Sequence, residues 1–192
     1  MQKAEEYPVE FTKEKRMILA EKAKYEEFRR EILELDTNKM TPDQLQHKID
    51  ENHFEIVHNI SEMNRLYNLL KEFWIFARKY QYLNSQIEVS RKFYSHATKE
   101  NLLKTEKPLK ITIEEIKSLL EEAHKIHLDL SMYILPLQEK INQVNRLQDF
   151  VAQLIHQPSE IEDLCALKTQ ILQLGILTPE IALINDKVIF FV

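Results

Sequence analysis

Chemistry, if this chain performs any, has to start from its histidines, its acidic side chains and one thiol. Glu55/His58 and Glu121/His124 are Glu-x-x-His pairs, and that spacing puts both groups on one side of a helix, as ligands of a carboxylate-bridged di-iron centre inside a four-helix bundle would be. His124 and His127 with Glu121 or Glu122 are a second combination, able in principle to hold zinc at a helix end. Both ideas weaken on direction. The apolar positions around the second pair are Ile116, Leu119, Leu120 and Ala123, which leaves Glu121 and His124 on the flank, while His58 falls in an expected turn. Solvated surface residues are the favoured reading. Cys165 is the single cysteine, so it forms no intramolecular disulfide; it sits beside an apolar face with no identified histidine partner and reads as an inert thiol. No catalytic residue, cofactor or metal is assigned, and an enzyme is not expected.

The remaining candidate is electrostatic. Residues 78–110 carry eight Lys or Arg against three Asp or Glu, whereas residues 111–192 carry six against twelve. Lys79, Arg91, Lys92 and Lys99 lie among Tyr80, Tyr82, Phe93 and Tyr94, and cations beside stacking aromatics suit phosphates and bases. An equally physical use is to face the acidic C-terminal part of the same chain. With a net charge of -5 and no recognition motif, a nucleic-acid or acidic-partner patch is possible but not favoured; the acidic part of the same chain, or solvent, is.

The elements that would position these residues are helices. A single glycine in 192 residues leaves almost no means of making the tight turns of a β or α/β fold, and Leu, Ile, Glu, Lys and Gln are abundant. Helix starts are spelled out by a Ser or Thr followed three residues later by Gln or Glu: Thr41/Gln44, Thr112/Glu115 and Ser159/Glu162. The expected fold is all-α: an elongated bundle of repeated short-helix/long-helix antiparallel units behind a long N-terminal helix. Its divisions are residues 1–38, a first unit over 39–104, a linker at 105–110, and second and third units over 111–192.

In the first helix Phe11, Ile18, Tyr25 and Ile32 recur every seven residues and Phe28 and Leu35 fill the alternate position, a narrow seam that needs a helical partner. Further on, Leu66, Leu70, Phe73, Ala77 and Tyr80 form the next stripe, with Trp74 beside it as the expected packing anchor. The stripe Leu137, Ile141, Val144, Leu147, Val151 and Leu154 belongs to a returning helix expected to begin near Pro136. Gly175 is the expected left-handed end of the helix that buries Ile161, Leu164, Ile171 and Leu172. The apolar run Val188 to Val192 suggests a docked tail or a chain cut from something longer. The polar, acidic start, the one cysteine and the lack of a long apolar run make an intracellular protein, without a membrane segment, the expectation.

The stretch Ile111 to Ala123, the returning helix from Leu135-Pro136-Leu137 to Leu154, and Ser159 to Leu174 followed by Ile176-Leu177-Thr178-Pro179-Glu180-Ile181 together resemble the PLU-type helical region of the JARID subfamily of histone-lysine demethylases. Residues 41–83 resemble an earlier unit of that region more loosely. The resemblance rests on leucines and helix caps. It implies a noncatalytic scaffold that spaces reader and catalytic modules or binds corepressors, hence chromatin proteins as partners and a nuclear location. The chain lacks the iron motif, the jelly-roll pattern and the cysteine-rich fingers of such enzymes. The alternative is a coiled-coil subunit of a cytoplasmic assembly, a cytoskeletal adaptor or tethering complex, with Phe11, Ile18, Phe28 and Ile32 binding a partner helix. That seam discriminates: packed on the chain's own helices it favours the scaffold, and exposed it favours the coiled-coil subunit. Neither reading involves a small-molecule substrate.

Overall fold

The computed structural model describes residues 8–51, 61–95, 111–155, 161–180 and 183–184. The described residues form six α-helices: α1 (Pro8–Glu34), α2 (Pro42–Asp50), α3 (Ser61–Ser95), α4 (Ile113–Lys125), α5 (Ser131–Ile155) and α6 (Ile161–Leu174). The fold is all-α, as composition required. Two compact units make up the chain, Met1–Leu70 and Lys71–Val192, and the division falls inside α3. The expected linker at 105–110, the cap at Ser159 and the apolar run at the C-terminus lie outside the described residues.

In the first unit, α1 stops at Glu34 and a 3-10 turn over Thr37–Lys39 leads into α2. That start is set by a reciprocal cap. The Gln44 amide N–H donates to Thr41 Oγ1 at 3.3 Å, and the Thr41 amide N–H donates to Gln44 Oε1 at 2.9 Å, with Pro42 at a first-turn position that lacks nothing by having no N–H. Buried apolar side chains of this unit are Ile32, Leu45, Ile49, Met63, Leu66, Leu69 and Leu70. Each fully buried residue of this kind contributes roughly 1.5–3 kcal/mol relative to exposure, which is why the short α2 holds together.

The second unit repeats the device. Glu115 N–H donates to Thr112 Oγ1 at 3.2 Å and Thr112 N–H to Glu115 Oε2 at 2.7 Å, opening α4 with Ile113, Ile116, Leu119 and Ala123 buried. Leu120, expected with them, is half-buried. The turn that follows buries Leu128 and Leu130. α5 then begins at Ser131, earlier than Pro136, because Asp129 Oδ1 accepts both the amide and the hydroxyl of Ser131 and supplies the start. Pro136 therefore lies inside the helix. There, past the first turn, it gives up the bond that its nitrogen would have made to the Met132 carbonyl, and its ring crowds that carbonyl.

The early start has a consequence for packing. Tyr133 lies within that added stretch, and its ring meets Phe73 and Phe76 at 5.7 Å and Tyr80 at 5.1 Å, all edge-on, joining α5 to α3. Trp74 does not take the anchoring role: it is 52% exposed, one residue round the helix from buried Phe73. Phe76, 1% exposed, occupies the inward position instead. On the other side of α5, Val151 packs with Leu164, Leu167 and Ile171 of α6 and with Ile184. The expected α5 stripe is the one that faces inward, with Leu137, Val144 and Val151 buried and Ile141, Leu147 and Leu154 half-buried.

Gly175 closes α6, as its position in the sequence suggested. Its φ is 72°, in the left-handed region, and its amide donates to the Leu172 carbonyl at 3.0 Å. A second demand is added by space: a Cβ at this position would lie 2.6 Å from the Ile87 carbonyl oxygen and 3.0 Å from Arg91 Cγ, both on α3. Beyond the turn the chain runs extended, and the Leu177 amide donates to the Ile111 carbonyl at 2.7 Å in a single parallel bridge between 112 and 177.

Gly175→Ala is expected to cost at least about 2 kcal/mol, from the left-handed backbone alone plus displacement of α3. Gly175→Asn should recover part of the backbone cost but none of the steric one; urea unfolding followed by circular dichroism would separate them. Thr112→Ala is expected to cost about 1 kcal/mol by the same measurement, through the lost cap.

Candidate functional site

The seam of α1 is divided. Ile32 is 2% exposed and Phe28 half-buried, so the C-terminal end of the helix is held within the first unit. Ile18, on the same heptad position two heptads earlier, is 68% exposed, and its neighbours Met17 and Leu19 are also exposed. Over residues 12–24 every described side chain is exposed. The side chain of Phe11 lies outside the described residues. Three large apolar side chains, Met17, Ile18 and Leu19, thus stand in solvent on this part of the helix, with Ile18 on the seam.

The held end has a specific clasp. Arg29 Nε donates to Glu62 Oε1 at 2.9 Å, while Ser61 Oγ donates to Glu62 Oε2 at 2.8 Å. Glu62 is almost wholly buried, so its charge needs these partners. The Ser61 hydroxyl first, and the Arg29 guanidinium next, hold its carboxyl below the usual carboxylate range. Nothing in the heptad pattern singled out Glu62. A signal was present only in the Ser-Glu dipeptide that opens α3.

Among the described residues, two of the basic side chains of the middle segment, Lys79 and Arg91, border different grooves. Lys79 Nζ donates to both carboxylate oxygens of Glu122 on α4, at 2.9 and 2.7 Å. The pair borders a groove of about 420 Å³ lined also by Arg78, Tyr82, Leu83 and Ile111. Arg91 Nη1 donates to Glu88 at 2.7 Å, one turn away on α3, and lines a different groove. Lys92 is exposed, and Lys99 lies outside the described residues. Lys79 and Arg91 thus already meet carboxylates of their own chain.

The histidine and acidic combinations remain apart. Glu121 and His124 are both exposed, and His124 Nδ1 is 2.8 Å from the Leu120 carbonyl, occupied by its own helix. His127 is exposed, and Glu55/His58 lie outside the described residues. Among the described residues no group of three or more His, Cys, Asp or Glu is placed to hold a metal ion. Cys165 is half-buried on α6, and its carbonyl accepts the Thr169 hydroxyl at 2.9 Å. No described helix is long and apolar enough to cross a membrane. What the arrangement offers is surface: three exposed apolar side chains on α1 and two grooves bordered by charge.

The Glu62 clasp predicts a pH dependence. A carboxyl whose folded pKa is depressed stabilises the fold above its unfolded pKa and loses that contribution as pH falls through its folded value. Glu62→Gln should therefore be less stable than the parent at neutral pH, and the two should converge in urea midpoints on acidification below the ordinary carboxylate range. A difference that persists unchanged at low pH would contradict the assignment. Comparison with protein-family models, curated proteins and solved structures finds no match for this chain.

Proposed function

We propose that this chain is a noncatalytic helical interaction module and that the N-terminal part of α1 pairs with a helix of another protein. The observation that carries this reading is the split seam: one heptad position is 2% exposed at Ile32 and 68% exposed at Ile18. Large apolar groups kept in water, here Met17, Ile18 and Leu19, cost the free chain solubility, and a partner helix recovers the burial, roughly 1.5–3 kcal/mol for each side chain fully covered. The bridging of Lys79 to Glu122 adds to it, since a basic middle engaged by the chain's own acidic helix has less to offer a nucleic acid.

By the criterion set out for the seam, the exposure of Ile18 supports a coiled-coil subunit of a cytoplasmic assembly such as a cytoskeletal adaptor or tethering complex, while the burial of Ile32 supports the scaffold. The second reading, a nuclear scaffold acting with chromatin proteins, is supported by the resemblance of residues 111–192 to the PLU-type region of histone-lysine demethylases. In either case partners dock through helix faces and the chain itself contributes no reaction.

Ile18→Asp should leave the unfolding midpoint unchanged, because the residue has no burial to lose, and should release the proteins that copurify with the chain from its own cells. Cytoskeletal or tethering subunits among the released set support the first reading; demethylase, deacetylase or histone subunits support the second. Full retention of every partner by the variant would contradict a docking role for the seam.

A further inference from the structure

The outer face of α3 in the second unit carries a row of side chains that the packing of the unit leaves unused. Lys71, the pair Trp74 and Ile75, then Arg78, Tyr82 and Val89 follow at steps of three, four or seven residues, which sets them on one side of the helix. Phe73, Phe76, Leu83 and Ile87 take the opposite side and are buried. Trp74, Ile75, Tyr82 and Val89 are each between 50% and 60% exposed. From Lys71 to Val89 the row is about 27 Å long at 1.5 Å per residue. Single exposed apolar side chains are ordinary on a surface, whereas four in line with two aromatics among them mark a contact face.

The row is continuous with a concave surface. Arg78 and Tyr82 also line the groove of about 420 Å³ between α3 and α4, whose floor is apolar through buried Leu83, Ile111 and Leu119. The charges on its two sides differ. On the α3 side Lys71 and Arg78 are exposed, and neither is held in an ion pair among the described residues. On the α4 side the carboxylates are already matched: Glu122 accepts from Lys79, and Glu115 Oε2 accepts from the Thr112 amide. An occupant must therefore bring apolar groups along its length and negative charge opposite α3 but not opposite α4. A nucleic acid carries charge along its whole backbone, would meet Glu115 and Glu122, and would leave Ile75 and Val89 without a use. A bilayer surface has no ridge to enter the cleft. An amphipathic helix meets every condition, and Trp, Tyr and Arg are the residue types that carry most of the binding energy at protein interfaces.

We propose that this face of α3 docks an acidic amphipathic helix of a partner protein. The apolar stripe of that helix lies on Trp74, Ile75, Tyr82 and Val89 and fills the cleft over Leu83 and Leu119, while Asp or Glu side chains beside the stripe pair with Lys71 and Arg78. The apolar row supplies the area to be buried, and the two cations set against the carboxylates of α4 fix which way round the partner lies. Trp74 has its use here, outside the core of its own chain. This surface belongs to the second unit and does not rest on the seam of α1.

The test is fluorescence polarisation of the full chain with a labelled helical peptide of about 18 residues, long enough to span the row, with Leu at every third or fourth position and Glu between. A second peptide keeps the leucines and carries Lys in place of Glu. The acidic peptide should bind about tenfold or more tightly than the basic one. Trp74→Ala and Tyr82→Ala should each weaken it about tenfold with unchanged circular dichroism, and Arg78→Glu should weaken it while narrowing the difference between the two peptides. Ile18→Asp should have no effect, which keeps this result separate from the α1 reading. Equal binding of the two peptides, no binding of either, or binding of the acidic peptide that survives Trp74→Ala and Tyr82→Ala together would overturn the proposal. Tighter binding of oligothymidylate or of phosphatidylserine vesicles than of the acidic peptide would also overturn it, and would assign the face to a nucleic acid or a membrane.

Discussion

The second unit depends on how closely the end of α6 approaches α3. At Gly175 the backbone turns left-handed with the Ile87 carbonyl where a β-carbon would be, and no other residue type meets both conditions. From that contact follow the burial of Leu172 with Tyr94, the placement of Ile176 under the groove that Arg91 lines, and the extended run whose Leu177 bonds Ile111 just ahead of the Thr112 cap. A chain with one glycine has put it at the place where a side chain would push two helices apart. The edge-on rings around Tyr133 fasten α5 to α3 as well, so α3 receives both α5 and the end of α6.

Electrostatics here organises surfaces more than it stabilises them. Pairs such as Lys79 with Glu122 and Arg91 with Glu88 are substantially exposed, and pairs of that kind are worth at most about 1 kcal/mol each. Their effect is to direct the basic middle of the chain: one cation onto α4, another along α3 to the groove below Gly175. Arg29 with Glu62 differs, because one partner is nearly out of solvent and the charge is matched by a hydroxyl as well. It lies on the packed part of α1, which runs on through half-buried Phe28 and Tyr25 before the exposed stretch of residues 12–24.

Local rules were legible from residues alone. Thr41/Gln44 and Thr112/Glu115 form the reciprocal caps their spacing implied, Gly175 ends α6, and the α5 stripe from Leu137 to Leu154 faces inward, because each depends on a few neighbouring residues in sequence. What periodicity left open was which neighbour an element meets. Trp74 seemed an anchor by size, but Phe76 has the inward direction. Pro136 marked a helix start because proline suits first turns, while Asp129 and Ser131 had already opened the helix, and so Tyr133 was hidden from the pattern. The groove that Arg91 lines was not legible at all, since Arg91, Lys140 and Ile176 come together only through the tertiary approach at Gly175. The seam was visible as a heptad, and its division into a packed and an exposed half was not.

The central claim is that the exposed N-terminal part of α1, residues 12–24, is a helix kept for a partner. Amide hydrogen exchange on the isolated full-length chain, at concentrations low enough to exclude self-association, tests it most directly. A helix lacking tertiary packing opens locally at small free-energy cost. The account predicts rapid exchange over residues 12–24 and slow exchange from Arg29 to Glu34, with the change falling near Phe28. Slow exchange of equal degree along the whole of α1 would mean that the seam is already covered by this chain, and would contradict the claim.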